Sequence, residues 1–389
     1  MRVLFSSTSG HGHVIPMLQL ARAFVVGGHD VRWALAAQAM PLVTAAGVEA
    51  VPAGASGAAG AALRGAVLGP AQDLPGAERA AFVFPRMFGE ALTPPMAADL
   101  LDLARDWGPD LLVHEHAELA APLVGTLLGV PSVTHSFGTA VPAPILDDAA
   151  SRLAPLWREH DLDVPRYAGC FRAGYLDICP PSVQATPVDH VPGVQPLRPV
   201  SVTAPSAPAQ GDPLVYVTLG TVQNRPELLR EVVEGVAALP VQALVALGPQ
   251  TEPAALGEQP GHVQVETWVD QAEVLGRCTA VVSHGGSGTF LGALARGLPQ
   301  LCLPQAADQF RNAEGGSRAG ASLALGPAEV TSESVRAALA RVLADAALRA
   351  GAQRVAAEIA VMPGPGEAVA LLVAGFEPDG THPNVPRTS

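Results

Sequence analysis

No lysine occurs anywhere in the 389 residues, so all 23 arginine-or-lysine positions are arginine. A phosphate loop of the GxxxxGK[ST] kind needs its lysine to reach the phosphates, and that class of nucleotide site is excluded. Schiff-base and pyridoxal phosphate chemistry falls with it, because both run through a lysine amine. The cysteines are few as well: Cys170, Cys179, Cys278 and Cys302 include no CxxC pair and no cysteine–histidine ligand spacing. Free core thiols are expected, and structural zinc is not. Pro, Gly or charged residues interrupt every apolar run before it reaches bilayer length. The opening Met1-Arg2-Val3-Leu4-Phe5 runs straight into a strand, which predicts no signal peptide and a cytoplasmic location. A net charge of −13 argues against nucleic acid and against anionic membranes, both of which attract basic patches. Scarce Asn and Ile reflect the codon bias of a high-GC genome rather than chemistry.

What is present is apolar and alternating. With 49% hydrophobic residues, the chain is long enough for two cores of ordinary domain size. Strands are expected over 3–6, 31–36, 111–114 and 130–135, separated by helices over 14–26, 38–46 and 119–128. Five prolines then punctuate 195–213, which has linker composition. Alternation restarts with strands over 214–219, 241–247, 262–266, 279–283 and 300–303. Helices are expected over 227–238, over 289–296, from Ser332 and over 366–374. Residues 53–69 and 142–181 resist assignment. This spacing predicts an α/β fold of two doubly wound parallel-sheet domains facing a cleft. Their bounds are 1–194 and 214–376, with a linker at 195–213, a flexible tail at 377–389, and a last helix that packs back on the first domain. Ligands of such sheets bind beyond the strand carboxyl ends.

The segment Ser283-His284-Gly285-Gly286-Ser287-Gly288-Thr289 joins a strand to a helix through a glycine-rich turn. Exposed backbone N–H groups and the positive end of the helix dipole make such a turn an anion site, and diphosphate is its natural guest. Near the amino terminus, Gly10-x-Gly12 begins a dinucleotide fingerprint, but Ile15 occupies the third glycine position. The second strand also lacks the acid that would hold a ribose, so NAD and FAD are disfavoured. His13 instead stands where a helix begins, placed to take a proton. Glu115 follows a strand on the same sheet edge, where a carboxylate can fix the tautomer of a histidine. His114 and His116 could share a strand face as metal ligands, but no third ligand lies nearby, so no metal is expected. His11 competes with His13 as a base.

These motifs resemble GT-B nucleotide-sugar glycosyltransferases, the family containing plant UDP-glycosyltransferases and actinobacterial antibiotic glycosyltransferases. The resemblance rests on Trp268-Val269-Asp270-Gln271, the His284–Thr289 segment, Pro304-Gln305-Ala306-Ala307-Asp308-Gln309, Gly12-His13-x-x-Pro16 and Leu219-Gly220-Thr221. It implies a GT-B fold of two Rossmann-like domains, with His13 as general base and Glu115 as its carboxylate partner. It further implies that Trp268 and Val269 hold the nucleobase. His284, Gly286, Ser287, Gly288 and Thr289 would hold the diphosphate, with Gly220 and Thr221 facing it, and Asp308 and Gln309 would hold the sugar. Asp270 departs from the proline of many relatives. Phe82, Phe84, Phe88 and Trp157 fall in the domain where the family binds its acceptors.

The implied activity is inverting, metal-independent transfer of a (deoxy)sugar from a TDP-sugar, or a UDP-sugar, to a hydroxyl of a hydrophobic natural-product aglycone. The nucleotide sugar is a co-substrate, and no cofactor is expected. A UDP-glucose-dependent macrolide-inactivating transferase and a nucleotide-sugar 2-epimerase are the rival readings, and a homodimer is an open assembly state.

Overall fold

The computed structural model describes residues 1–199, 213–220, 226–248 and 251–376. Most of the linker expected at 195–213 and the whole tail expected at 377–389 lie outside the described residues, as does Thr221.

Among the described residues, thirteen strands form two wholly parallel sheets. The first sheet holds β1 (Arg2–Ser6), β2 (Asp30–Leu35), β3 (Glu49–Pro52), β4 (Leu111–Glu115), β5 (Ser132–His135), β6 (Tyr175–Asp177) and β7 (Val194–Pro196), in the order β3-β2-β1-β4-β5-β6-β7. The second holds β8 (Leu214–Thr218), β9 (Gln242–Ala246), β10 (Val263–Glu266), β11 (Ala280–Ser283), β12 (Gln300–Cys302) and β13 (Ser322–Ala324), in the order β10-β9-β8-β11-β12-β13. Each sheet contains the doubly wound 3-2-1-4-5-6 order, with its reversal between β1 and β4 and between β8 and β11. The central strands are unbroken apolar runs because helices cover both faces: β4 is buried along its whole length, and Val281 and Val282 are fully buried in β11.

Contacts divide the chain into two compact units. One holds residues 1–178 and 187–198 and the segment from Pro363 onward; the other holds 179–186 and the residues between the linker and Met362. The helix Pro365–Phe376 therefore belongs to the first unit, where it packs on the helix His11–Val26. The segment 179–186, which the sequence-based bounds put in the first domain, packs with the second.

The unassigned stretches are mainly helical. Gly57–Leu68 is a helix, and Ala143–Arg158 is another, whose buried face runs Leu146, Ala149, Ala150, Leu153, Trp157 at helical spacing. The strands β6, β7 and β13, each three residues long, are too short to show a period. The helix Gln309–Arg318 is hidden by its glycines. A Cβ at Gly315 would run into the carbonyl of Val183, and one at Gly316 would lie 2.8 Å from the ring of Phe290. Close packing, rather than chain flexibility, accounts for these two residues.

No single helix among the described residues is long and apolar enough to cross a membrane. The four cysteines are buried, and none is in a disulfide.

Gly351 sits in the helix Ala346–Val361 with the backbone carbonyl of Gly320 where its Cβ would be. Gly351→Ala is expected to destabilise the second unit by about 1–3 kcal/mol, the usual cost of overpacking against atoms that cannot yield. A lowered urea midpoint, read by circular dichroism, is the check.

Candidate active site

In the first unit the site forms where the strand order reverses. The chain leaves β1 through 7–10 and enters the helix His11–Val26, which begins three residues earlier than the period of its apolar positions suggests. His13 is thereby in the first turn of that helix, and Glu115 is the last residue of β4, the strand paired with β1. His13 Nδ1–H donates to Glu115 Oε1 at 2.9 Å. The carboxylate is fully buried, whereas the imidazole keeps 24% of its surface exposed. With Nδ1 committed to Glu115, Nε2 carries the lone pair that can take a proton. Gly10 leaves space for this ring: a Cβ there would lie 2.8 Å from His13 Cδ2. His11 is exposed at the first helical position.

Glu115 also accepts from the Thr8 hydroxyl at 3.2 Å and the Ala117 amide at 2.7 Å. Burial works against its ionisation, but the positive charge and hydrogen bond of His13 outweigh that and hold the carboxyl below its ordinary value. Three residues on, Glu118 behaves oppositely. It accepts from Ser6 Oγ at 2.5 Å and from the amides of Ala120 and Ala121 at 2.7 and 3.3 Å. Burial nevertheless pushes it up to about 7, because no cation stands beside it and Glu115 is near.

The metal reading of His114 and His116 has no support in their surroundings. His114 is fully buried; its Nδ1–H donates to the Glu118 carbonyl at 2.7 Å and its Nε2 accepts from the Thr134 hydroxyl at 2.9 Å. Burial lowers it to about 4, so it stays neutral and structural. Among the described residues no group of three or more His, Cys, Asp or Glu side chains is arranged to hold a metal.

Aromatic rings surround the base. Phe88 lies 5.5 Å from His13, Phe84 5.0 Å from Phe88, and Phe137 4.9 Å from His13. Phe88 is carried by the wide π-helical turn Pro85–Ala91, a backbone form frequent at functional sites. Phe82 stacks under the Arg86 guanidinium at 3.8 Å, with no ring contact to His13. Trp157 is a correction to the expected acceptor residues: it is 1% exposed, on the apolar stripe of its helix, and belongs to the core. Its size and position among unassigned residues suggested a pocket wall; its helical spacing from Leu146, Ala150 and Leu153 is the signal of packing.

In the second unit the glycine-rich turn again follows a strand at the reversal point. β11 ends at Ser283, His284–Gly286 form the turn, and the helix Ser287–Ala295 begins with no side chain capping it. Its first amide N–H groups are therefore available to an anion. The His284 ring is held between two glycines. A Cβ on Gly220, after β8, would lie 2.8 Å from His284 Cε1, and one on Gly286 would collide with Nε2. Gly220 has φ +84° and Gly285 φ +78°, conformations that also favour glycine. Burial lowers the His284 pKa against the raising influence of Asp308 and of a bond to the Thr218 backbone, so the free site presents a neutral imidazole rather than a cation.

Four expected ligand-holding residues prove to be hydrogen-bonded within the protein. Ser287 Oγ donates to Asp308 Oδ2 at 2.6 Å. Gln309 Oε1 accepts from the amides of Gln305 and Ala306 at 2.8 and 3.0 Å, which braces the loop after β12. Thr289 donates to Gln271 Oε1 at 3.0 Å. Gly288, in the first turn of the helix, has open space where a Cβ would be. Asn312 was not singled out by sequence. It is 1% exposed and donates through Nδ2 to the Gly285 carbonyl at 2.9 Å, to Ser287 Oγ at 3.0 Å and to Asp308 Oδ2 at 3.1 Å. Its spacing of four from Asp308 on one helix was the available signal.

Trp268 stands 74% exposed, an indole face with little protein on it, while Val269 packs against an apolar cluster that includes Leu244, Val274 and Leu275. The departure at Asp270 has a local reason. Its carboxylate caps the helix Gln271–Leu275, accepting from Ala272 N at 2.9 Å and Glu273 N at 3.2 Å.

A solvent-reachable histidine–carboxylate pair on one Rossmann-like unit and an uncapped helix above a buried histidine on the other define a GT-B glycosyltransferase. Residues 22–197 match the family described as erythromycin biosynthesis protein CIII-like, N-terminal domain, and residues 230–374 match its C-terminal domain. The chain is 34% identical to L-demethylnoviosyl transferase of Streptomyces niveus, covering 94% of this chain and 96% of that one. Among solved structures, the glycosyltransferase SnogD from Streptomyces nogalater superposes with a TM-score of 0.75 at 30% identity, over 96% of this chain and 99% of that one. The glycosyltransferase SsfS6 of Streptomyces sp. SF2575, complexed with thymidine diphosphate, does so at 0.75 and 27% identity, over 96% and 99%. The chain belongs to the actinobacterial antibiotic glycosyltransferases of this family, enzymes that transfer sugars in natural-product biosynthesis.

Two predictions follow the two carboxylates. His13→Ala is expected to lower transfer by roughly 10²–10⁴, the range for losing a positioned base, as measured by kcat/KM. Glu118 has its folded pKa raised from 4.5 to about 7, so its stabilising protonated form is complete below 4.5 and is lost as pH rises through about 7. Glu118→Gln should therefore flatten the fall in urea midpoint that the native protein shows between pH 5 and 8. Glu115, lowered in the fold, contributes its stabilisation in full above the ordinary carboxylate value and loses it as pH falls from there through its folded value.

Proposed function

We propose that this glycosyltransferase moves a deoxyhexose from a TDP-sugar onto a hydroxyl of a hydrophobic natural-product aglycone, with inversion and without a metal. The observation that carries the reading is the His13 Nδ1–Glu115 pair at 2.9 Å, with the rings of Phe88 and Phe137 against the imidazole. The acceptor hydroxyl gives its proton to His13 Nε2 as its oxygen attacks the anomeric carbon. The new carbon–oxygen bond forms as the bond to the diphosphate breaks, and the electron pair leaves with the nucleoside diphosphate. Glu115, ionised throughout, stabilises the imidazolium that results. A single displacement inverts the anomeric centre.

The departing charge needs donors already in place. The uncapped amides of the helix Ser287–Ala295 and the imidazole of His284 supply them, so a bound cation has no required part. Asn312 holds the turn by its Gly285 carbonyl, and the Ser287–Asp308 pair is a ready partner for sugar hydroxyls. Trp268 offers the base an open face to stack on, and Phe84 and Phe88 offer the aglycone apolar surface. The thymidine diphosphate bound by the related SsfS6 supports TDP over UDP as the nucleotide.

Calorimetric titration of TDP and UDP into the native protein and His284→Ala tests the donor assignment. TDP is expected to bind more tightly than UDP, and to weaken at least about tenfold in the variant, the equivalent of one hydrogen bond to a charged group. Absence of binding by either nucleotide would overturn the assignment.

A further inference from the structure

The first unit contains a pocket that the chemistry above leaves unused. It is an open space of about 400 Å³ lined by residues that include Ser7, Ser9, Arg64, Thr93, Met96 and Glu118. It abuts the catalytic pair: Thr8 and Ala117, both in its wall, are the residues whose hydroxyl and amide bond the Glu115 carboxylate.

Two hydroxyls of this pocket, those of Ser7 and Ser9, have protons to give. Ser7 Oγ accepts from the Trp33 indole at 2.9 Å and Ser9 Oγ accepts from Gln38 at 3.0 Å, which leaves both hydroxyl protons for another partner. Thr93 spends its proton on the Phe88 carbonyl at 2.5 Å. The oxygens of Glu118 already receive three donors.

Arg64 completes the set. It extends from the helix Gly57–Leu68, and its Nη1 folds back over Gly60, 3.3 Å from where a Cβ would be. Among the described residues it has no carboxylate within ion-pair distance, although acidic residues outnumber basic ones 36 to 23 in the chain. A half-buried guanidinium beside two donor hydroxyls, over walls of Ala36, Ala53, Leu92 and Met96, matches a compact anion on an otherwise apolar body.

We infer that this pocket selects acceptors bearing an acidic substituent, a carboxylate or an acidic enol, which Arg64 binds while the acceptor hydroxyl is offered to His13. This rests on the proposed transfer to a hydrophobic aglycone and narrows it to anionic aglycones. Arg64 is then a specificity residue with no part in proton transfer.

The test uses the full chain and a matched pair of fluorescent phenols, 7-hydroxycoumarin-3-carboxylate and its ethyl ester. Binding of each is measured by fluorescence titration in the presence of TDP, for the native protein, Arg64→Ala and Arg64→Gln. The expected result is at least about tenfold tighter binding of the acid than of the ester, in the range of a hydrogen bond between charged groups. That preference should shrink with added salt and fall close to unity in both variants. Equal binding of acid and ester by the native protein would overturn the inference, as would a preference that survives both substitutions. Circular dichroism of the variants separates loss of the guanidinium from loss of the fold. Binding requires no turnover, so a preference for the acid without transfer to any hydroxyl would count against the proposed reaction and leave the pocket assignment standing.

Discussion

Two neighbouring parallel strands whose connections leave in opposite directions leave their carboxyl ends uncovered, and both units of this enzyme are organised by that constraint. In the first unit it separates the turn after β1 from the turn after β4; in the second, the turn after β8 from that after β11. His13 and Glu115 occupy the first pair of turns, and Gly220 and His284 the second. Within each sheet the register, Ser6 to His114 in the first and Thr218 to Ser283 in the second, brings the ends of the paired strands level beside the histidine of that unit. The same architecture therefore presents a proton acceptor in one unit and an anion cradle in the other.

Burial gives these side chains their different characters. Glu115 and Glu118 are three residues apart and equally buried, and Glu118 has more backbone donors, two amides against one, yet they shift in opposite directions. The difference is one imidazole. A buried carboxylate without a countercharge loses several kcal/mol of hydration, in the order of magnitude of burying any unpaired ion, and recovers it only by protonation or by pairing. His13 supplies that pairing for Glu115 while keeping a quarter of its own surface in solvent. The burial that lowers His114, His135 and His284 lacks such a carboxylate bond, and those rings are held neutral.

Much of this was legible before the coordinates. The apolar strands of both sheets, His13, Glu115 and the glycine-rich turn all follow from periodicity and local chemistry, because each sits in a long element or in a turn whose residue types have few other uses. What escaped was written in contacts between distant segments. Gly315 and Gly316 read as helix breakers until Val183, Phe290 and Ser322 are seen pressing on them. Asn312 has no local signature of holding Gly285, 27 residues away. Trp157 was misjudged because an aromatic residue beside prolines looks like a loop, when its neighbours at helical spacing place it in the core. Strands of three residues carry too few side chains for a period to emerge.

The imidazole of His284 lies between Gly220 and Gly286 with no space for even a methyl group on either side. Every single-nucleotide change in a glycine codon that replaces the glycine with another amino acid introduces a side chain with at least one carbon. No one-step mutational path therefore leads away from either glycine without pressing on the ring. Moving His284 first would surrender the anion site, so neither order of substitution offers a gradual route. The three residues of this stack are coupled through one ring, so a side chain added at either glycine calls for a compensating change at His284.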